Sequence, residues 1–347
     1  MERRHLAIGI LFVFLCGFAT VGIAYGASAS PTELKIVHFA APIHLIHKDV
    51  LVPWTKMLEE RTGGKVKGVL YPGELLGKAK DHLDMVIAGT ADACYVFIGA
   101  NPGRFPLHNV YELPFLVSNP HIGSRVMWEN FEKDAALRKE FADVKVLCIT
   151  GIPAMQIHAA KKPVRNLQDL KGMKIRTIPG PVAMKTISTL GAVPVTMSPV
   201  DTYVALERGT IDAGASPFEA VFSLKIADVT KYHTEANLWS GVWFFVMNKR
   251  KWESLSPDIQ KVIEGMSGAW LSDWVGTVWE KDDIASREKI RNTPGHEIIT
   301  LSTEEATKWR EKTKPLWDEW VSETEAKGLP GRKVLESTLS LLQKYAK

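Results

Sequence analysis

Hydrophobic and polar positions change period repeatedly along the 347 residues of this chain. Residues 34–39 form a β-rich run that Ala40-Ala41-Pro42 turns. Over 43–62, Ile46, Val50, Leu51, Trp54, Met57 and Leu58 fall on one helical stripe, which Gly63-Gly64 closes. A strand at 66–71, a helix at 75–88 and an apolar strand at 93–98 follow. Strand, helix, strand, helix, strand predicts a βαβαβ unit built on a parallel sheet.

A loop at 112–116, a helix over 122–141 and a strand at 145–149 come next. Gly151 and Pro153 then punctuate the chain and mark a crossover. The second unit reads as strands 155–159, 173–176 and 193–196, with helices over 182–190 and from Ser198 to 209. Another helix starts near Ser216-Pro217. The apolar run 243–247 predicts a strand returning to the first unit. Ser256-Pro257 opens a helical pattern reaching about residue 291, long enough to bridge two domains. A late strand at 297–301 precedes the capping box Ser302-Thr-Glu-Glu305 and a Trp-rich final helix. The expected architecture is α/β with two lobes, hinge-crossing strands and a domain-bridging helix. Lobe I takes 30–152 plus about 243–281, and lobe II takes 153–242 plus about 282–347.

The start of the chain is different. Arg3, Arg4 and His5 precede an apolar run over 6–24, and Gly26, Ala27, Ser28, Ala29 and Ser30 follow. That order predicts a secretory signal over 1–29, cleaved after Gly26 or Ala29. The chain carries 43 Lys and Arg against 39 Asp and Glu. A balance so near neutral, and so evenly spread, excludes nucleic acid as a partner. Beyond the leader, Cys94 and Cys148 lie in apolar, strand-like runs and read as two buried thiols rather than a disulfide.

No catalytic set emerges. Gly214-Ala-Ser216-Pro-Phe218 lacks the final glycine of a nucleophile elbow. His-Glu-x-x-His, Cys-x-x-Cys and a phosphate-cradling glycine loop are absent. His38, His44 and His47 place at most two rings on one helix face, too few for a metal centre. A secreted hydrolase or lyase is the weaker reading, and neither cofactor nor metal is expected. What stands out is a guanidinium. In Asp169-Leu-Lys-Gly-Met-Lys-Ile-Arg176, a short strand ends at Arg176 and Ile178-Pro-Gly-Pro181 stops it. Strand ends are where open α/β folds hold ligands. A guanidinium matches a carboxylate bidentately and stays charged when desolvated.

This block, with Gly209-Thr-Ile-Asp212 through Ser216-Pro217 and the Leu113-Pro-Phe115 loop, resembles the solute-binding proteins of TRAP transporters (tripartite ATP-independent periplasmic, DctP-type). The resemblance covers about residues 33 to 345. It implies a periplasmic receptor, acting as a monomer, that closes its lobes on a small organic carboxylate and delivers it to an ion-coupled membrane permease. Arg176 would dock the carboxylate, and Ser216, where the family often has Asn, would add a hydrogen bond. Asp212 would hold a turn. Many dicarboxylate and sialic-acid receptors of the family carry a second arginine about twenty residues earlier; here that position is Gln156. With one cation and the aromatics Phe39, Tyr95, Phe97, Trp239 and Trp243 near strand ends, the expected ligand is an aromatic or apolar monocarboxylate. A dicarboxylate or sugar acid, or presentation of the ligand to a membrane sensor, is the alternative.

Overall fold

The computed structural model describes residues 30–346. The leader expected over 1–29 lies outside the described residues. Two sheets organise the rest. The first has the order β2-β1-β3-β10-β4, from β1 (Thr32–His38), β2 (Val66–Tyr71), β3 (Ala93–Phe97), β4 (Val144–Gly151) and β10 (Val242–Asn248). The second has the order β11-β9-β5-β8-β6-β7, from β5 (Gln156–Ala159), β6 (Lys174–Thr177), β7 (Val193–Thr196), β8 (Ala213–Ser216), β9 (Tyr232–Glu235) and β11 (Glu297–Thr300).

In the first sheet β1 runs parallel to both β2 and β3, as a right-handed βαβαβ unit requires. β10 then enters antiparallel between β3 and β4. It lies inside the sheet with both faces covered, so all seven of its residues are buried, which accounts for its unbroken apolar run. Cys94 on β3 and Cys148 on β4 flank β10 and are both free and buried. Two strand spacings, roughly 10 Å, exceed the reach of a disulfide.

The chain passes between the sheets at 152–155 and again at 236–241. These two segments are zipped together: Ile152 N–H donates to Gly241 O at 3.1 Å, Met155 N–H to Trp239 O at 2.8 Å, and Leu238 N–H to Met155 O at 2.9 Å. The helix Gly268–Arg291 makes a further connection. It packs on β4 and the helix Pro120–Lys133 at one end, and on β11 and the helix Phe218–Ser223 at the other.

Several elements differ from the sequence pattern. The helix expected over 43–62 starts as a π-helix at Ile46–Leu51 and becomes α-helical only at Val52–Arg61. The helix expected over 75–88 is confined to Ala79–Ala88. The segment 122–141 is two helices, because extended Asp134 caps the second by accepting Ala136 N–H at 2.8 Å. The long helix from 256 is likewise two, Pro257–Glu264 and Gly268–Arg291. Gly268 has φ +71°, and the Trp128 ring would lie 3.1 Å from any Cβ there. The final helix is three, broken before Pro315 and over Gly328-Leu-Pro330. The sequence pattern does not mark strands β8 and β9. Ala213-Gly-Ala-Ser216 has little intrinsic β preference, and only its place between β5 and β6 makes it a strand.

Candidate functional site

The local fold around Arg176 follows from the residues before it. Asn166 Oδ1 accepts from Gln168 N and Asp169 N, while Asp169 Oδ2 accepts from Arg165 N and Asn166 N, a reciprocal cap on one short helical turn. Gly172, at φ +73°, reverses the chain into β6. Asp212 then clamps the strand's start: its carboxylate accepts Lys174 N–H at 2.8 Å and its own N–H donates to Lys174 O at 2.8 Å. β6 therefore leaves this turn with its register against β8 fixed, Arg176 lying opposite Gly214.

Arg176 is only 2% exposed. Its Nε and Nη2 both donate to Met197 O, at 3.3 and 3.0 Å. A guanidinium has five N–H donors, so this anchor orients the fork and leaves most donors free. Burial pulls its pKa down to about 10, and the Asp201 carboxylate opposes that shift from a distance. The group is thus a cation at neutral pH, held in a desolvated place.

That place is the wall of a cavity of about 310 Å³ lined from both sheets. β6, β8 and the turn and helix after β8 contribute Arg176, Ser216, Pro217 and Glu219. The ends of β1, β3 and β10 contribute Phe39, Phe97 and Trp243, and the long helix contributes Trp279. These aromatics interlock. Phe39 meets Phe97 edge-on at 5.1 Å and lies tilted against Trp243 at 5.0 Å, and Trp243 meets Trp279 edge-on at 5.3 Å and 73°. Edge-to-face contacts of this kind are favourable, because the positive ring edge meets the negative face. Beside the cavity the two sets of loops touch: a Cβ on Gly99 would sit 2.3 Å from Pro179 O. Only glycine permits this approach.

The structure therefore brings Arg176, Ser216, Phe39, Phe97 and Trp243 to one cavity. Ser216 Oγ is buried and has no hydrogen-bond partner. The other three expected residues stand behind the wall. Tyr95 is fully buried, donates to or accepts from Thr150 Oγ1 at 2.8 Å, and supports Trp243 from 5.7 Å. Trp239 is buried in the crossing segment. Gln156 is occupied by Ala154 O, Asn237 Oδ1 and Asn237 N–H. Gln156 opposes Ser216 in the β5–β8 ladder, yet its amide is spent on the crossing.

Five polar or aromatic lining residues are not marked by the sequence pattern: Trp279, His44, Glu219, Ser223 and Lys225. Trp279 follows from Leu271 and Val275 at four-residue steps once the helix restarts at Gly268, the signal that a continuous helix from 256 obscures. Glu219 is a lone carboxylate within the apolar run Phe218–Ser223. It is 4% exposed, and burial pushes its pKa up to about 8. Among the described residues no cluster of three or more metal-ligating side chains occurs, and no helix is long and apolar enough to cross a membrane.

Two sheets joined by paired crossing segments, closing on a cavity with one buried cation, define a two-lobed solute-binding protein. The chain belongs to the bacterial extracellular solute-binding proteins of family 7, whose model matches residues 36–324. It is a solute-binding protein of the TRAP-transporter type, a class that binds small organic acids and works with membrane permease components. The 2,3-diketo-L-gulonate-binding periplasmic protein of Escherichia coli is 28% identical over 76% of this chain and 78% of its own. A TRAP solute-binding protein from Rhodoferax ferrireducens, solved with copurified benzoate, is 30% identical with a TM-score of 0.86, covering 91% of this chain and 98% of that one. A marine metagenome TRAP protein specific for aromatic acids, solved with metahydroxyphenylacetate, is 28% identical with a TM-score of 0.87, covering 91% and 100%.

Proposed function

We propose that this protein is the periplasmic receptor of a TRAP transporter for an aromatic or apolar monocarboxylate. Arg176 docks the carboxylate, Ser216 Oγ adds a hydrogen bond, and Phe39, Phe97, Trp243 and Trp279 enclose the remainder. The observation that carries the reading is the buried, mostly uncommitted guanidinium facing an aromatic wall. A cation out of water needs a counter-charge, since an unpaired buried charge is prohibitively costly. A carboxylate supplies it, and the one buried cation calls for one carboxylate, the other cationic lining residue, Lys225, being exposed. Burying a Phe-sized apolar group contributes about 1.5–3 kcal/mol, comparable with ~1.5–3 kcal/mol for a hydrogen bond to a charged group. Anchor and wall thus contribute on the same scale, which favours acids that use both.

In this account residues 1–29 direct secretion, and the lobes are 30–152 plus about 243–281 and 153–242 plus about 282–347. The zipped crossings act as the hinge. The lobes close because the ligand makes contacts to both that exist only in the closed form. The closed receptor hands its acid to the permease. A thermal-shift screen of organic acids tests the ligand class, because a ligand bound to the native state raises the midpoint by mass action. Benzoate-type and branched apolar acids should raise it most. A response confined to dicarboxylates or sugar acids contradicts the proposal.

A further inference from the structure

Away from the guanidinium, the same cavity has a second group of polar side chains. His44, in the loop after β1, and Glu219, in the helix after β8, reach it from opposite sheets. Each ring nitrogen of His44 has a definable role. Nδ1 accepts Ile46 N–H at 3.1 Å, so in the neutral imidazole Nε2 carries the hydrogen. That Nε2 points to Glu219 Oε1 at 3.6 Å, beyond hydrogen-bond reach. The imidazole is fixed against the aromatic wall, nearly parallel to Trp243 at 6.2 Å and edge-on to Trp279 at 5.6 Å. Ser223, one helical turn beyond Glu219, lines the cavity as well, and its Oγ is buried without a partner.

Resting on the reading above, we propose that His44, Glu219 and Ser223 form a specificity subsite for a hydroxyl on the ring of an aromatic monocarboxylate. A hydroxyl both donates and accepts one hydrogen bond. His44 Nε2–H supplies a fixed donor, and the Glu219 carboxyl and Ser223 hydroxyl supply acceptors. His44 Nε2 has no partner within the protein at hydrogen-bond distance, and the Ser223 hydroxyl lies beside the Glu219 carboxyl, where it opposes the effect of burial on that group. The gap of 3.6 Å between His44 and Glu219 is wide for a direct bond, and an oxygen placed beside both would satisfy the two at once. Burial favours the uncharged form of each: it lowers His44 to about 4 and raises Glu219 to about 8. A neutral pair does not repel the ligand's carboxylate at neutral pH. An apolar ligand leaves these groups unsatisfied, and sites built to hydrogen-bond a substrate hydroxyl reject the analogue that lacks it.

Glu219, Ser223 and Ile43 also form the partition to a second cavity of about 340 Å³ lined by Lys48, Asp282 and Lys289. The subsite therefore borders charged groups on its far side rather than hydrocarbon alone.

The test is titration calorimetry of the mature protein with benzoate, 3-hydroxybenzoate and 4-hydroxybenzoate, on the wild type, Glu219→Gln, Glu219→Leu and His44→Phe. The wild type should bind one hydroxybenzoate about tenfold or more tighter than benzoate, the value of one good hydrogen bond in a desolvated site. Glu219→Gln, a neutral isostere of the protonated carboxyl, should keep that ratio within about threefold. Glu219→Leu and His44→Phe should bring it to one or below while benzoate still binds. A ratio that is the same in the wild type and both apolar variants, with benzoate bound throughout, overturns the subsite and leaves the Arg176-anchored aromatic acid standing. Failure of the wild type to bind any of the three acids overturns both.

Discussion

The two halves of the cavity are built on opposite principles. The aromatic half, from the ends of β1, β3 and β10 with the long helix, is complete without a ligand: Phe39, Phe97, Trp243 and Trp279 already pack against one another. The half from β6 and β8 is unfinished. Arg176 holds one backbone carbonyl with two of its N–H groups, and Ser216 Oγ has no partner. The first half serves stability and binding with the same atoms. On the proposed function, the second half costs stability until an anion satisfies it. Substitutions in the two halves should therefore separate folding from binding.

The largest effect is expected at Arg176. Arg176→Ala should weaken carboxylate binding by about 100-fold or more, the cost of leaving a buried charge without its partner. Arg176→Met should leave the ligand-free melting temperature unchanged or raise it, because an unpaired buried cation is replaced by apolar volume. Unaltered affinity in Arg176→Ala, read by calorimetry, contradicts the anchor. A middle-sized effect on two quantities is expected at Trp243. Trp243→Leu should lower the melting temperature and also weaken benzoate about tenfold, since the ring touches Phe39, Phe97, Tyr95 and Trp279. Loss of binding with full stability there would blur the distinction between the halves.

The smallest effect concerns pH. Burial, assisted by the Asp282 charge, raises Glu219 to about 8, and burial raises Asp283, which accepts Glu219 N–H at 3.1 Å, to about 7. His44, lowered to about 4, is neutral throughout this window, and the Ser223 hydroxyl, followed by the Lys48 charge, partly offsets the rise in Glu219. A carboxyl whose folded pKa is raised keeps a proton that the unfolded chain releases. Its contribution to stability is full below about 4.5 and is lost as pH climbs through about 8. Above that point its charge shares the cavity with the ligand's carboxylate. Benzoate affinity should fall a few-fold between about pH 7 and 9. In Glu219→Gln it should stay flatter until Arg176 begins to lose its proton near 10. A rise in affinity over that range, measured by titration at fixed ionic strength, contradicts the assignment.

How much of this was legible in the sequence depended on whether local chemistry or tertiary context decided the outcome. The turn that presents Arg176 is written in Asn166, Asp169 and Gly172, whose caps and positive φ are local. The fold class was legible for the same reason, since the first βαβαβ unit follows from period alone. β8 and β9 were not, because Ala213-Gly-Ala-Ser216 and Tyr232-His-Thr-Glu235 become strands through their neighbours. The aromatic residues show the limit of period-two reasoning. Tyr95 and Phe97 are two apart on β3 and share a face, so parity nominates both. Depth separates them: Phe97 stands opposite Trp243 at the strand's end, whereas Tyr95 stands opposite Phe245, one step further in. Trp279 was lost for a different reason. A helix that restarts at Gly268 resets the buried face, and no continuous stripe from residue 256 can include it.

The central claim is that one charge is read by Arg176 while rings read the remainder. It is tested most directly by comparing benzoate with benzamide on the unmodified protein in a calorimeter. The two share a ring and nearly a shape, and differ in the charge presented to the guanidinium. Benzamide should bind at least about 100-fold more weakly, the penalty for leaving a buried cation without its counter-charge. Benzamide binding within a few-fold of benzoate would contradict it.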